Sequence, residues 1–462
     1  MRRKWIIIPI ETIVREFDSK LLLSCFAVER GYGVIIGYRK LIQKKVLSLL
    51  PKNGIYLDKS AGVRHGVPFV KPKEYGHKLV SIDAEGLVYN NDEEYFRKRL
   101  SVNAIKESDL IFTWGRAQRD FISSKIPEES NKIVNTGEPR VDLWRREFRG
   151  IYLKEAHKIQ KKYGPYVLIA SNFVANHAKG NSFPLKQAIH FGMVKTDFEI
   201  ANFNERHNHK LRILKDFLNV LPRLSQDFPN LNFIIRPHPS ESHVVWKDAS
   251  KNLKNVKVIF EGSISPWVLG AQLVLHNDCT TGIEAVISGV QSISYRPYKS
   301  DEYDSFLPIE SSFEVFNVDE LISSISKIIN GEKLVLKAPK DLINRISSIK
   351  GSLASERILD EIDKFQIKET TLFSKSISKK SLAESPKVVI INALTLLPIF
   401  LIPKKFTKLY NYKLSKRASK QKFGWLTKAM IKKRLKSITV EDKRFKDIKF
   451  KKLKKNLFYI FK

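Results

Sequence analysis

Between Asn232 and Pro297 the chain runs three times from an apolar stretch into a short polar cluster, and few folds accommodate that repetition. Phe233-Ile234-Ile235 leads into Arg236-Pro237-His238-Pro239-Ser240-Glu241-Ser242. A second apolar stretch ends at His276-Asn277-Asp278-Cys279 and gives way to Thr280-Thr281-Gly282 and the helical run Ile283-Glu284-Ala285-Val286. A third, Ser292 to Tyr295, closes at Arg296-Pro297. Short apolar runs bounded by turn residues read as buried strands of a parallel sheet. Open α/β sheets bind ligands just beyond the C-terminal ends of such strands. The clusters therefore predict one site, suited to a nucleotide phosphate.

The same alternation fills the first part of the chain. Trp5 to Ile10, Val34 to Gly37, Ile55 to Leu57, Leu79 to Ile82, Leu110 to Gly115 and Lys132 to Val134 read as strands, with helical stretches such as Ser19 to Arg30 between them. Strands alternating with helices imply a doubly wound parallel sheet. A second set opens at Tyr166 to Phe173, past a basic helical junction at Val141 to Lys162. The expected architecture is two Rossmann-like domains, 1–150 and 160–365, with a cleft between them. Val174 to His209 has no clear period and reads as a long loop with short helices, followed by an amphipathic helix over Lys210 to Gln226.

Charge sets the third region, 368–462, apart. It holds 27 Lys and Arg against 5 Asp and Glu, so +22 of the chain's +34 lies in its last fifth. An apolar run at Val388 to Ile402 is shorter than the roughly 20 residues a membrane-spanning helix requires. Lys and Arg interleaved with Phe, Leu, Ile and Trp425 fit a basic amphipathic segment lying on anionic lipid. A packed helical extension or a solvated charge run fits the same composition. Two cysteines, Cys25 and Cys279, form no disulfide framework, and the apolar run after Met1 is too short for a signal peptide. A cytoplasmic protein, peripheral at the inner face of the membrane, is expected.

Individual residues sharpen the site. Thr280-Thr281-Gly282 opening a helix offers hydroxyls and unpaired backbone N–H groups to an anion, although a lone Thr-Thr-Gly is first an ordinary N-cap. Glu284, one turn on, is placed to accept ribose hydroxyls. His238, rigidified by two prolines, and Arg236 supply donors for a phosphate or carboxylate. Ser240 and Asn172 stand at neighbouring strand ends. In the first domain Asp83, Glu85 and Glu16 are alternative carboxylates for a base or for stabilising an oxocarbenium-like centre. No Cys-x-x-Cys or spaced His pair accompanies these residues, so no metal is expected. No RNA-binding aromatic strand occurs, so nucleic acid is not an expected partner.

Pro9-Ile10-Glu11 through Arg15-Glu16-Phe17-Asp18, Asp83-Ala84-Glu85-Gly86-Leu87, Gly137-x-Pro139-Arg140-x-Asp142 and the R-P-H-P-S and T-T-G-x-E pieces together resemble a GT-B glycosyltransferase. More narrowly, the chain resembles the bacterial surface carbohydrate biosynthesis proteins, relatives of capsule Kdo transferases and of CDP-glycerol glycerophosphotransferases. The resemblance covers roughly residues 5 to 360. It implies no tightly bound cofactor but a nucleotide-sugar donor, CMP-linked by preference and UDP-linked otherwise, held by the second domain. The acceptor, a glycan or lipid-linked glycan, would lie on the first. A CDP-glycerol or ribitol-type transferase and a non-enzymatic polyanion-binding scaffold are the alternatives.

Overall fold

The computed structural model describes residues 2–62, 71–190, 192–334, 341–372 and 424–462, and these form two parallel α/β lobes. The first lobe carries β1 (Trp5–Ile10), α1 (Ile13–Glu29), β2 (Gly33–Tyr38), β3 (Ile55–Asp58), β4 (Lys78–Ile82), α2 (Asp92–Arg99), β5 (Leu110–Thr113) and β6 (Ile133–Asn135). Its strands run parallel in the order 2-1-3-4-5-6. Burial on both faces explains why β1 reads Trp-Ile-Ile-Ile-Pro-Ile rather than alternating.

Helices α3 (Pro139–Trp144) and α4 (Leu153–Tyr163) lead to the second lobe. There β7 (Tyr166–Ala170), β8 (Asn232–Arg236), β9 (Val256–Val258), β10 (Leu273–His276), β11 (Gln291–Tyr295) and β12 (Phe313–Val315) pair in parallel in the order 9-8-7-10-11-12. That is the dinucleotide-fold order, whose reversal between β7 and β10 opens a crevice. Between β7 and β8 stands α5 (Asp197–Asp227), which begins well before the amphipathic stretch expected from Lys210. A capping box starts it: Thr196 accepts from the Glu199 N–H at 3.2 Å, and Glu199 accepts from the Thr196 N–H at 3.2 Å.

Not all of the stretch expected in the second domain up to residue 365 packs with the second lobe. Helices α6 (Thr280–Ile287) and α7 (Ala354–Asp363) belong to different lobes, because α7 packs its Ile358, Leu359 and Ile362 into the first-lobe core. Gly137 permits the return: its φ is +82°, and a Cβ there would stand 2.3 Å from the Ser348 hydroxyl.

The described part of the basic C-terminal region holds the expected helix and takes the packed form among the alternatives. The region's apolar run Val388–Ile402 lies outside the described residues. From residue 424 onward, however, the chain is built into the first lobe as α8 (Lys428–Glu441) and the hairpin β13 (Lys449–Lys454) and β14 (Leu457–Phe461). β14 pairs antiparallel with β2, Phe458 opposite Ile36, and extends that sheet to eight strands. Ile431, Leu435 and Ile438 form one buried stripe of α8, and Phe445 packs edge-on against Phe26 at 5.0 Å. Among the described residues no helix is long and apolar enough to cross a membrane.

Candidate functional site

Both lobes aim the C-terminal ends of their strands at one cavity of about 490 Å³. From the first lobe come Glu11, Thr12 and Arg15 after β1, Lys59 after β3, and Glu85 after β4. From the second come Ser171 and Asn172 after β7, Arg236, His238 and Ser240 after β8, and Thr280, Thr281 and Glu284 on α6. The cavity thus spans the strand-order reversals of both sheets.

The second-lobe wall is organised by a residue to which the sequence motifs gave no role. Glu241 is 1% exposed, and its carboxylate accepts from the Ser171 hydroxyl at 2.6 Å, the His238 backbone N–H at 2.8 Å and the Trp246 indole at 3.3 Å. It thereby ties the β7 loop to the Pro-His-Pro loop. His238 Nδ1 accepts from the Ser240 N–H at 3.2 Å, which leaves the ring proton on Nε2. Helix α6 presents its first turn, with Thr280 and Thr281, to the same space. Gly282 is not among the residues lining this cavity. It is the close approach of α6 to β10, since a Cβ there would stand 2.1 Å from the His276 ring.

Glu284 is the unusual group. It is 5% exposed, and one oxygen, Oε1, has no hydrogen-bond partner among the described residues. Burial pushes its carboxyl up to about 7, against the smaller pull of the Ser265 hydrogen bond and the Arg140 charge. A buried acceptor without a partner is costly unless a ligand satisfies it.

Arg236 lines the cavity, but its forked contact is already made. Its two Nη groups donate to the carbonyls of Glu261 at 2.7 Å and Gly262 at 3.0 Å, and the guanidinium lies over Trp267 at 5.0 Å. The arginine clamps the loop after β9 instead of presenting a free fork to a phosphate. Burial pushes it down to about 10.

Of the three carboxylates expected from the first lobe, only Glu85 lines the cavity, where Glu11 and Asp18 join it. Glu85 accepts from Arg15 at 3.0 Å and Arg99 at 2.8 Å. Burial alone would raise its carboxyl, but Arg15, Arg99 and Lys59 outweigh burial and hold it well below the usual carboxylate range. Asp83 is turned inward, accepting from Arg99 at 2.6 Å and from Tyr95 at 3.2 Å. Glu16 sits one turn inside α1, where it accepts from the Thr12 N–H at 2.8 Å and from Lys20 at 2.6 Å. Two carboxylates expected at the reacting centre are therefore a helix cap and a buried ion pair. Lys59, paired with Glu11 at 2.5 Å, is a first-lobe cation that no sequence motif marked. Among the described residues no cluster of His, Cys, Asp and Glu could hold a metal ion.

Among solved structures, the chain is similar to the wall teichoic acid polymerase TagF in its H548A form, at 10% identity over 78% of this chain and 88% of that one, with a TM-score of 0.50. The fold is GT-B. Two further similar structures are UDP-GlcNAc 2-epimerase from Methanocaldococcus jannaschii, at 14% identity over 78% and 99% with a TM-score of 0.49, and S. aureus MnaA with UDP, at 11% over 79% and 96% with a TM-score of 0.47. No protein-family model matches the chain, and no curated protein matches it. In this GT-B chain the cleft expected between two Rossmann-like halves is the cavity described above.

Proposed function

We propose that the chain is a nucleotide-sugar-dependent glycosyltransferase of surface glycan synthesis, with its donor in the 490 Å³ cavity. The observation that carries this reading is the convergence of Thr280, Thr281, His238 and the unsatisfied Glu284 on one wall, facing Glu85 and Lys59 on the other. The first turn of α6 and its hydroxyls bind the donor phosphates, and His238 Nε2–H donates to the departing phosphate oxygen. Glu284 Oε1 accepts a ribose hydroxyl. Glu85, held ionised, is a weak base. Its negative charge faces the positive charge that develops at the sugar carbon as the bond to the nucleotide breaks.

Arg236 bears on the choice of donor. Its Nη groups donate to the Glu261 and Gly262 carbonyls, so it keeps its charge but offers no free fork to the carboxylate of a CMP-linked ulosonic acid such as CMP-Kdo. We put uridine- and cytidine-diphosphate-linked donors first. Exposed lysines on α8 and β13, among them Lys432, Lys449 and Lys452, support attachment to an anionic membrane. Nucleotide release from UDP-sugars, CDP-glycerol and CMP-Kdo tests the reading. His238→Ala and Glu85→Gln should each slow turnover by roughly 10²- to 10³-fold, and wild-type rates in both would sink it.

A further inference from the structure

A second chamber of about 650 Å³ opens beside the first and shares Val88, Asn172 and Val174 with it. Its walls are α2 of the first lobe and, from the second, the segment before α5 together with the first turns of that helix. The lobes are bridged across it: Arg97 pairs with Glu199 at 2.5 Å, and Arg206 donates to Asn90 at 2.7 Å. It is large enough for a small-molecule ligand and leads into the cavity where the donor's reacting carbon would lie.

The lining selects the ligand's chemistry. Four Lys and Arg side chains face five Asp and Glu, and many of them neutralise one another: Glu199 holds Arg97, Glu94 holds Lys98 and Arg206, and Lys210 is held by Asp278 at 2.8 Å and Asp304 at 3.1 Å. No surplus of positive charge is left for an anionic chain. Side-chain amides from Asn90, Asn91, Asn172 and Asn202 line the same space. Asn90 is held by Arg206 and the Glu302 carbonyl, Asn91 caps α2 and Asn202 donates to Glu302, so Asn172 is the amide set to pair with both donors and acceptors of hydroxyl groups. Phe198, on the first turn of α5, is 80% exposed and is the most exposed large apolar side chain among the described residues. Glu199 fixes its position by capping the helix and pairing with Arg97. A flat aromatic face beside amides is what the C–H face of a sugar stacks on.

We propose that this chamber is the acceptor site and takes a neutral, hydroxyl-rich chain, a glycan or polyol unit stacked on Phe198. The inference rests on the transferase reading and adds the acceptor's class and place. The test uses the whole protein with a mixture of neutral oligosaccharides and glycerol-phosphate oligomers, read by saturation-transfer NMR while nucleotide protection is measured in parallel. A neutral oligosaccharide should give signals that persist when UDP or CDP is bound. They should fall at least five-fold in Phe198→Ala and return in Phe198→Trp, with melting temperatures unchanged. Binding of the phosphate oligomers alone, displacement of the oligosaccharide by nucleotide, or full binding in Phe198→Ala overturns the proposal. Nucleotide protection without any oligosaccharide signal overturns the acceptor site alone, and the absence of both overturns the transferase reading as well.

Discussion

Arg434 donates to Asp18 at 2.9 Å, joining a helix near the end of the chain to the wall of the cavity near its start. Asp18 also accepts from the Tyr152 hydroxyl at 3.0 Å, and Tyr152 lines the same cavity. Burial pushes the Asp18 carboxyl up despite Arg434 beside it, so the arginine is what keeps a buried charge tolerable. Arg434→Ala is expected to destabilise the protein by about 3–5 kcal/mol in urea unfolding, the usual loss when one partner of a buried pair is removed. Removal of residues 424–462 would also uncover β2 as a sheet edge and is expected to make the protein aggregate. A truncated protein that stays monomeric and active would contradict the integration of this region into the first lobe.

Asp142 secures the crossing of the chain back to the first lobe. Its carboxylate accepts from the N–H groups of Ala354 at 2.8 Å and Ser355 at 2.9 Å and from the Ser355 hydroxyl at 2.7 Å. Asp142→Ala removes an N-cap and leaves buried donors unpaired, so a loss of about 2–4 kcal/mol is expected from denaturant unfolding.

Glu284 makes stability depend on pH in a stated direction. Its folded value, about 7, is raised above the ordinary 4.5, so between those values the folded state holds more protons than the unfolded one. The contribution of Glu284 to stability therefore falls as pH rises from about 4.5 to 7, while buried His77 and His276, each lowered to about 4, contribute in the opposite direction between about 4 and 6.5. Asp142, likewise pushed up to about 7 by burial, adds a fall of the same sign, so Glu284→Gln should remove the Glu284 share alone and make the protein more stable than wild type at pH 8, by up to roughly 3 kcal/mol. Its nucleotide affinity should nevertheless drop. Calorimetry of both proteins across this range checks the sign.

Glu241 offers a test of loop order. Glu241→Ala leaves the Ser171 hydroxyl, the Trp246 indole and the His238 N–H without their shared acceptor. Nucleotide affinity should fall at least ten-fold although Glu241 is not among the residues lining the cavity, as measured by isothermal titration. An unchanged affinity would show that the Pro-His-Pro loop holds its shape unaided.

Much of this site was legible because a parallel sheet gathers its polar strand ends on one side. Apolar runs and the polar clusters after them therefore locate the cavity without any contact being known. The short edge strands Val256–Val258 and Phe313–Val315 carry too few residues for a period to show. The direction of a carboxylate is also invisible in sequence: Asp83 and Glu85 are two residues apart and share Arg99, yet Asp83 turns inward to Tyr95 and Glu85 lines the cavity. In α8 the buried stripe Ile431, Leu435 and Ile438 is separated by lysines and an arginine, and net charge concealed a core helix. Arg236 shows the same limit, since only the fold brings the Glu261 and Gly262 carbonyls within its reach.

Nucleotide binding is the most direct test of the donor site. Melting temperature is to be measured with UDP, CDP and CMP for the wild type, for His238→Ala and for Thr280→Val/Thr281→Val. A nucleotide at about 100 times its Kd stabilises the folded state by ~2.7 kcal/mol. The expected result is a clear rise for the wild type with UDP or CDP, reduced or lost in both variants, whose unliganded melting temperatures stay close to wild type. No rise with any nucleotide, or an equal rise in all three proteins, would contradict the donor site.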